Sequence, residues 1–309
     1  VNVEERIVLV TGASSGIGLA TCLRASRQGA HVVLVARGVT ALEEAARQCA
    51  EAGAGSTLVL PADVGDDEAV ASVVGAVLER HGRLDAVVSN AGVVAYGRTE
   101  DVPAEVFDRV LRTNLTGSVN VARHVLPVLR RQQEGSLLFV GSVIGHIGVP
   151  TMSAYVLSKW GVRALARQLQ LENRDLGDVH IGYVAPGGVD TPIYEQAANY
   201  EGVVGRPPPP VSSPDKVAAQ ILHHLDHDHA REQLTLANDV IRFGYHALPF
   251  VYDRLVAPLF RLGAVDLTRE TPPTAGNVLE PHEAGNSLTG GAGGALAGIL
   301  RNVRRAVRP

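Results

Sequence analysis

The chain has 309 residues, is 46% hydrophobic and carries a formal net charge of −4. That length buries one full α/β core with additions, and the absence of a basic bias or a nucleic-acid motif speaks against nucleic acid as a partner. Two cysteines, Cys22 and Cys49, fall in separate helical stretches and are expected to be small core or surface residues, not a disulfide. The first strand begins within seven residues, so no signal peptide is expected and a cytoplasmic location follows.

In chain order, Ile7-Val8-Leu9-Val10 is a short buried-strand pattern that runs directly into Thr11-Gly12-Ala13-Ser14-Ser15-Gly16-Ile17-Gly18 and then a helical stretch to Gln28. Strand, glycine-rich turn and helix in that order form the setting of a dinucleotide site. Gly12 permits the tight turn, Gly16 brings the backbone close to a pyrophosphate, and Gly18 lets the helix pack on the strand. The helix N-terminus around Ser15, Gly16 and Ile17 offers free N–H groups to phosphates. Further strands are expected over 31–35, 56–60, 86–89, 137–140 and 180–184, with helices over 40–52, 67–81, 103–131 and 152–172. This alternation predicts an α/β fold, a Rossmann-type doubly wound parallel sheet in one domain over 1–226. A C-terminal extension over 227–309 follows.

A second constellation carries chemistry. Tyr155 and Lys159 lie four apart on the helix expected over 152–172 and so share a face. A free phenol titrates at about 10 and is a poor base at neutral pH unless a cation stabilises the phenolate; Lys159 is placed to be that cation. Ser142 follows an apolar strand run, which puts its hydroxyl at a strand's C-terminal end, where open α/β sheets hold ligands.

Together these motifs resemble the short-chain dehydrogenase/reductase family over residues 4 to about 225, in its TGxxxGxG subclass. TGASSGIG at 11–18, Asp63-Val64, SNAG at 89–92, Asn114, Ser142, Tyr155-x-x-x-Lys159 and PGGVDTP at 186–192 arrive in the family's order. The resemblance implies that Tyr155 donates or accepts the proton, Lys159 lowers its pKa and holds the nicotinamide ribose, Ser142 orients the substrate carbonyl and Asn114 holds a water in the relay. It also implies that Asp63 and Val64 meet the adenine, that Asn90, Ala91 and Gly92 lie on the adenosine side, and that Pro186, Gly187, Val189 and Thr191 sit near the nicotinamide. The family more often has Asn where this chain has Ser89. The implied reaction is hydride transfer between nicotinamide and a carbonyl or alcohol carbon of a small molecule, in a homodimer or homotetramer.

The end of the second strand, Ala36-Arg37-Gly38, lacks the acid an NAD enzyme would use for the ribose 2′-hydroxyl. Arg37 offers a guanidinium suited to a 2′-phosphate, and Ser14 or Ser15 can donate to it. NADP(H) is therefore the expected cofactor, with NAD(H) as the alternative. The leading function is an NADPH-dependent ketone or aldehyde reductase acting on an apolar substrate. An NAD(H)-using alcohol dehydrogenase of the same family and a non-catalytic NADP(H)-sensing protein are the competitors.

Substrate recognition is expected from the Pro-rich loop 190–213, read as a mobile lid. His146 is either a pocket-lining or an ordinary loop residue. His223, His224, His227 and His229 invite a metal reading, but solvent exposure is the simpler account and no metal is expected. Residues 243–260 hold Phe243, Tyr245, Phe250, Tyr252 and Phe260, a density that asks for burial over substrate or between subunits, with peripheral membrane contact less favoured. The Gly-rich basic tail 286–309 is expected to be flexible.

Overall fold

The computed structural model describes residues 5–227, 232–291 and 295–307. The strands β1 (Ile7–Thr11), β2 (His31–Ala36), β3 (Ser56–Pro61), β4 (Ala86–Ser89), the two-residue β5 (Ala95–Tyr96), β6 (Gly135–Val140) and β7 (Val179–Val184) follow one another along the chain. All but β5 join a six-stranded parallel sheet in the order β3-β2-β1-β4-β6-β7. The strand order reverses between β1 and β4, the place where the carboxyl ends of such a sheet open a crevice.

Side-chain alternation along the strands divides the core into two layers. Ile7 and Leu9 point to one side, with Val73 and Val77 of α3 (Asp67–His81), Val125 of α5 (Gly117–Gln132) and Val162 of α6 (Ser153–Glu172). Val8 and Val10 point to the other, with Leu19 and Cys22 of α1 (Gly16–Ser26), Leu42 and Cys49 of α2 (Val39–Glu51) and Ile221 of α7 (Pro214–Asp226). Cys22 and Cys49 are buried free thiols in this second layer. The start of α3 shows why sequence marks its ends so well: the Asp66 carboxylate accepts from the N–H groups of Glu68 and Ala69, and Gly82 closes the helix at φ 74°.

Three expectations need correction. The helix expected over 103–131 is interrupted: α4 (Ala104–Leu111) gives way to a five-residue π-helical turn, Arg112–Thr116, before α5. The wide turn lets the Asn114 side chain reach the Val93 backbone, a local contact that helical periodicity does not encode. The loop 190–213 carries short ladders that its Pro-rich sequence did not announce. Within and beside it lie β8 (Gly188–Val189), β9 (Ala198–Asn199), β10 (Val203–Gly205) and β11 (Val211–Ser212). β8 pairs with β11, β9 with β5, and β10 with β12 (Val265–Glu270) of the extension.

The third correction concerns the tail. The extension forms a helical hairpin, α8 (Leu236–Ala247) and α9 (Pro249–Gly263), then β12, then a segment that returns across the sheet edge, and finally α10 (Ala295–Val307). Over 295–307 the sequence is rich in good helix formers, Ala, Leu and Arg. Asn302 docks that helix: it is fully buried, donates to the carbonyls of Leu262 and Val265, and accepts from the Leu267 N–H. The helix hairpin buries only part of its aromatic load. Tyr252 donates to the Gly148 carbonyl at 2.7 Å and Phe260 packs against the buried cluster of Val94, Tyr96, Met152 and Ala197, whereas Phe243 and Phe250 are exposed.

Candidate active site

The glycine-rich turn is a cradle that side chains would fill. Gly12 has φ +66°, and a Cβ there would stand 2.9 Å from the Ala91 Cα; at Gly18 it would fall 2.1 Å from the Gly12 carbonyl oxygen. Thr11 clasps the ends of β1 and β4, its hydroxyl accepting from the N–H groups of Asn90 at 2.9 Å and Ala91 at 3.0 Å. The Asn90 amide donates to the Thr11 carbonyl at 2.9 Å, so this side chain braces the turn from within.

Around this turn lies a cleft of about 160 Å³, and Gly12, Ser14, Ser15, Gly16, Ile17, Arg37, Asp63, Val64, Asn90, Ala91, Gly92 and Thr191 all line it. Asp63 is ion-paired with Arg109 and accepts from the Gly65 N–H at 2.9 Å. The unexpected wall is the extension. Asn277, Pro281, His282 and Asn286 line the same cleft, and the Arg37 guanidinium donates to the carbonyls of Asn277, Val278 and Leu279. Burial pulls the Arg37 pKa down and the nearby Asp63 carboxylate offsets this. Glu283 supplies a carboxylate at the N-terminus of α2, accepting from the Ala41 N–H at 2.9 Å, where the macrodipole favours an anion.

The chemical end of the site sits at the tips of β4 and β6. Ser142 follows β6, is buried, and its oxygen accepts from the Ile144 N–H at 3.3 Å. Tyr155 and Lys159 project from the first turns of α6. The phenol is pushed up to about 12, mainly by burial, and the Ser142 hydroxyl bonded to it pulls the value back. Burial alone brings Lys159 down to about 8. Its Nζ donates to the Val140 carbonyl at 2.9 Å and lies 5.7 Å from the Tyr155 ring centre. Asn114 Oδ1 accepts from the Val93 N–H at 2.8 Å, and its Nδ2 donates to Ser158 Oγ at 3.0 Å. Gly92 stands where Asn114 and Lys159 converge: a Cβ on it would be 3.4 Å from Asn114 Oδ1 and 3.8 Å from Lys159 Nζ.

The Pro186-Gly187 turn is held by a residue that no motif announced. Asn238, buried at the start of α8, donates to the Ala185 carbonyl at 2.9 Å, and a Cβ at Gly187 would stand 2.7 Å from its Oδ1. Val189 and Thr191 are buried beyond it. Tyr155 shares an apolar, partly aromatic cluster with Tyr96, Met152, Ile193, Tyr194 and Phe260. His146 is fully buried; desolvation lowers its pKa to about 4, and its ring lies 5.8 Å from that of Tyr183. In the histidine run, His223 and His227 stack at 4.0 Å. His224 is buried with Nδ1 2.7 Å from the Gln220 carbonyl, so solvent exposure does not describe it. His229 lies outside the described residues. No group of three or more potential metal ligands occurs among the described residues, and none of the described helices is long and apolar enough to cross a membrane.

The family model for short chain dehydrogenase matches residues 6–201, which span the glycine-rich turn, Asn114, Ser142, Tyr155 and Lys159. The chain belongs to the short-chain dehydrogenase family. Within it, the D-beta-hydroxybutyrate dehydrogenase of Rhizobium meliloti (strain 1021) is 32% identical over 190-odd residues, 62% of this chain and 74% of that one. Among solved structures, levodione reductase is 29% identical with a TM-score of 0.66, over 74% of this chain and 94% of that one. An alcohol dehydrogenase from the archaeon Thermococcus sibiricus, complexed with 5-hydroxy-NADP, is 32% identical with a TM-score of 0.65, over 75% and 96%. The protein is thus an oxidoreductase of the nicotinamide-dependent kind, and its 202–309 region lies beyond the stretch the family model covers.

Proposed function

We propose that this protein is an NADP(H)-preferring reductase of a ketone or aldehyde, working on an apolar substrate as a cytoplasmic homo-oligomer. The observation that carries the chemistry is the convergence of Ser142, Tyr155, Lys159 and Asn114 at the carboxyl ends of β4 and β6, beside the Gly12–Gly18 cradle. The donor set fits a dinucleotide: the N-terminus of α1 and a cradle without Cβ atoms suit a pyrophosphate. When bound, the cofactor supplies or takes the hydride. The chain's own part is proton supply and orientation. Ser142 fixes the carbonyl oxygen, and Tyr155 gives it a proton as the carbon is reduced. Lys159, with its Nζ 5.7 Å from the Tyr155 ring centre, would be the cation that stabilises the phenolate left behind. Asn114 lies where Gly92 and Lys159 meet and is placed to order a water behind that lysine. The aromatic cluster of Tyr96, Tyr194 and Phe260 supports an apolar substrate.

For the dinucleotide, Arg37 supports NADP(H). Its five N–H donors exceed the three carbonyl contacts it makes, which by count leaves the Nε–H and one Nη2–H. The extension's carbonyls thus hold the guanidinium in place with two donors to spare for a phosphate. One observation favours the second reading, NAD(H): the Glu283 carboxylate beside Gly38 is the acid that the end of β2 lacks.

The deciding experiment mixes purified protein with NADPH or NADH and a panel of apolar ketones, aldehydes and alcohols, following cofactor absorbance. Turnover with NADPH favoured over NADH is the expected result. Tight NADPH binding with no oxidation across the panel would support a sensing role instead.

A further inference from the structure

We propose that residues 274–290 of the extension form a strap that roofs the dinucleotide cleft and must lift for the cofactor to exchange. The inference rests on the reading of that cleft as the cofactor site. The strap is tied to both banks. On the β2 bank, its carbonyls at Asn277, Val278 and Leu279 hold Arg37, and Glu283 holds the start of α2. On the opposite bank, it is clamped to Gln196, just beyond Thr191. Gln196 Nε2 donates to the carbonyl of His282 at 3.2 Å and to Asn286 Oδ1 at 2.9 Å, and its Oε1 accepts from Asn277 Nδ2 at 3.0 Å.

Between the banks the strap touches the turn itself. The Ser287 carbonyl accepts from the Gly16 N–H at 3.0 Å, and Asn286 Nδ2 lies 3.4 Å from Ser14 Oγ. A carbonyl oxygen therefore sits on a donor at the N-terminus of α1, the end that suits a phosphate. Val278 anchors the strap, being fully buried in a cluster with Val93, Val106 and Val110. The fit is close: Gly276 has φ +51°, and a Cβ there would fall 2.3 Å from the Gln196 carbonyl oxygen. The bridge crosses the cleft from bank to bank, so a dinucleotide lying beneath it would have to pass the clamp to enter or leave.

Two variants of the full chain test this. Gln196→Ala removes the side-chain clamp, and Gly276→Ala forces the strap off its seat. Stopped-flow NADPH fluorescence would give the association rate, and chase with excess NADP+ the dissociation rate, alongside circular dichroism to confirm folding. Both rates are expected to rise at least about tenfold, because the clamp no longer limits opening. Dissociation rates within twofold of the parent would overturn the strap. Faster dissociation with unchanged association would also overturn it, because that describes a simple contact. If neither the parent nor the variants bind any nicotinamide dinucleotide, the cofactor reading itself fails, and this outcome is separate from equal rates.

Discussion

Lys159 is a cation held where a cation is expensive. Its pKa falls from 10.5 to about 8 through burial, a penalty on the order of 3 kcal/mol at pH values below 8. Because the folded-state pKa lies below the unfolded one, the unfolded chain keeps a proton between pH 8 and 10.5 that the folded chain has released, so this group's contribution to stability rises with pH across that window. Lys159→Met is therefore expected to raise the denaturation midpoint at pH 7 while abolishing turnover, with the gain shrinking by pH 10. Urea titrations at the two pH values check this; a gain of equal size at both would show that charge burial is not its source. Arg37 provides the second residue-scale test. Arg37→Asp is expected to weaken NADPH by roughly 10–100-fold and NADH far less, measured by equilibrium fluorescence titration. Equal losses would make Arg37 an anchor of the strap alone.

At the scale of elements, what sequence revealed follows from the range of the interaction involved. The six strands of the main sheet and the helix carrying Tyr155 are written in periodicity and in local punctuation, such as Asp66 and Gly82 around α3. The π-helical turn at Arg112–Thr116 was not legible, because what organises it is a contact between Asn114 and Val93, 21 residues away. The same holds for Thr11, Arg109, Asn238 and Gln196, whose partners are remote in sequence. The ladders that loop 190–213 makes with β5, β8 and β12 were not legible because, at two or three residues each, they are too short to show alternation. The docking of α10 is a similar case with a direct test. Asn302→Ala is expected to cost about 1–3 kcal/mol by leaving the Leu267 N–H and several carbonyls unpaired in a buried place. Hydrogen exchange would report this as lost protection in β12 and α10 with the central sheet unchanged. Loss spread evenly over the molecule would argue against a locally docked helix.

Taken as one molecule, the protein joins a family scaffold to an extension that the motifs did not describe. The scaffold places Ser142, Tyr155 and Lys159, and the extension contributes Asn238 behind the Pro186-Gly187 turn, Phe260 in the cluster that holds Tyr155, and Asn277, Pro281, His282 and Asn286 along the cleft. The direction of the chemistry should depend on pH in a way that follows from the same groups. With the phenol raised to about 12, Tyr155 stays protonated through neutral pH, as carbonyl reduction requires. Alcohol oxidation needs the phenolate and should climb toward alkaline pH. Reduction should fall once Lys159 loses its charge above about 8. Initial rates in both directions over pH 6–10 would show these opposite slopes; parallel profiles would remove Tyr155 from the proton transfer. The most direct test of the account as a whole is Tyr155→Phe, assayed for turnover and for NADPH affinity in the same preparation. Turnover should drop by roughly 10²–10⁴-fold with the dissociation constant for NADPH within a few-fold of the parent, and a variant that still reduces its ketone at the parental rate would contradict the mechanism.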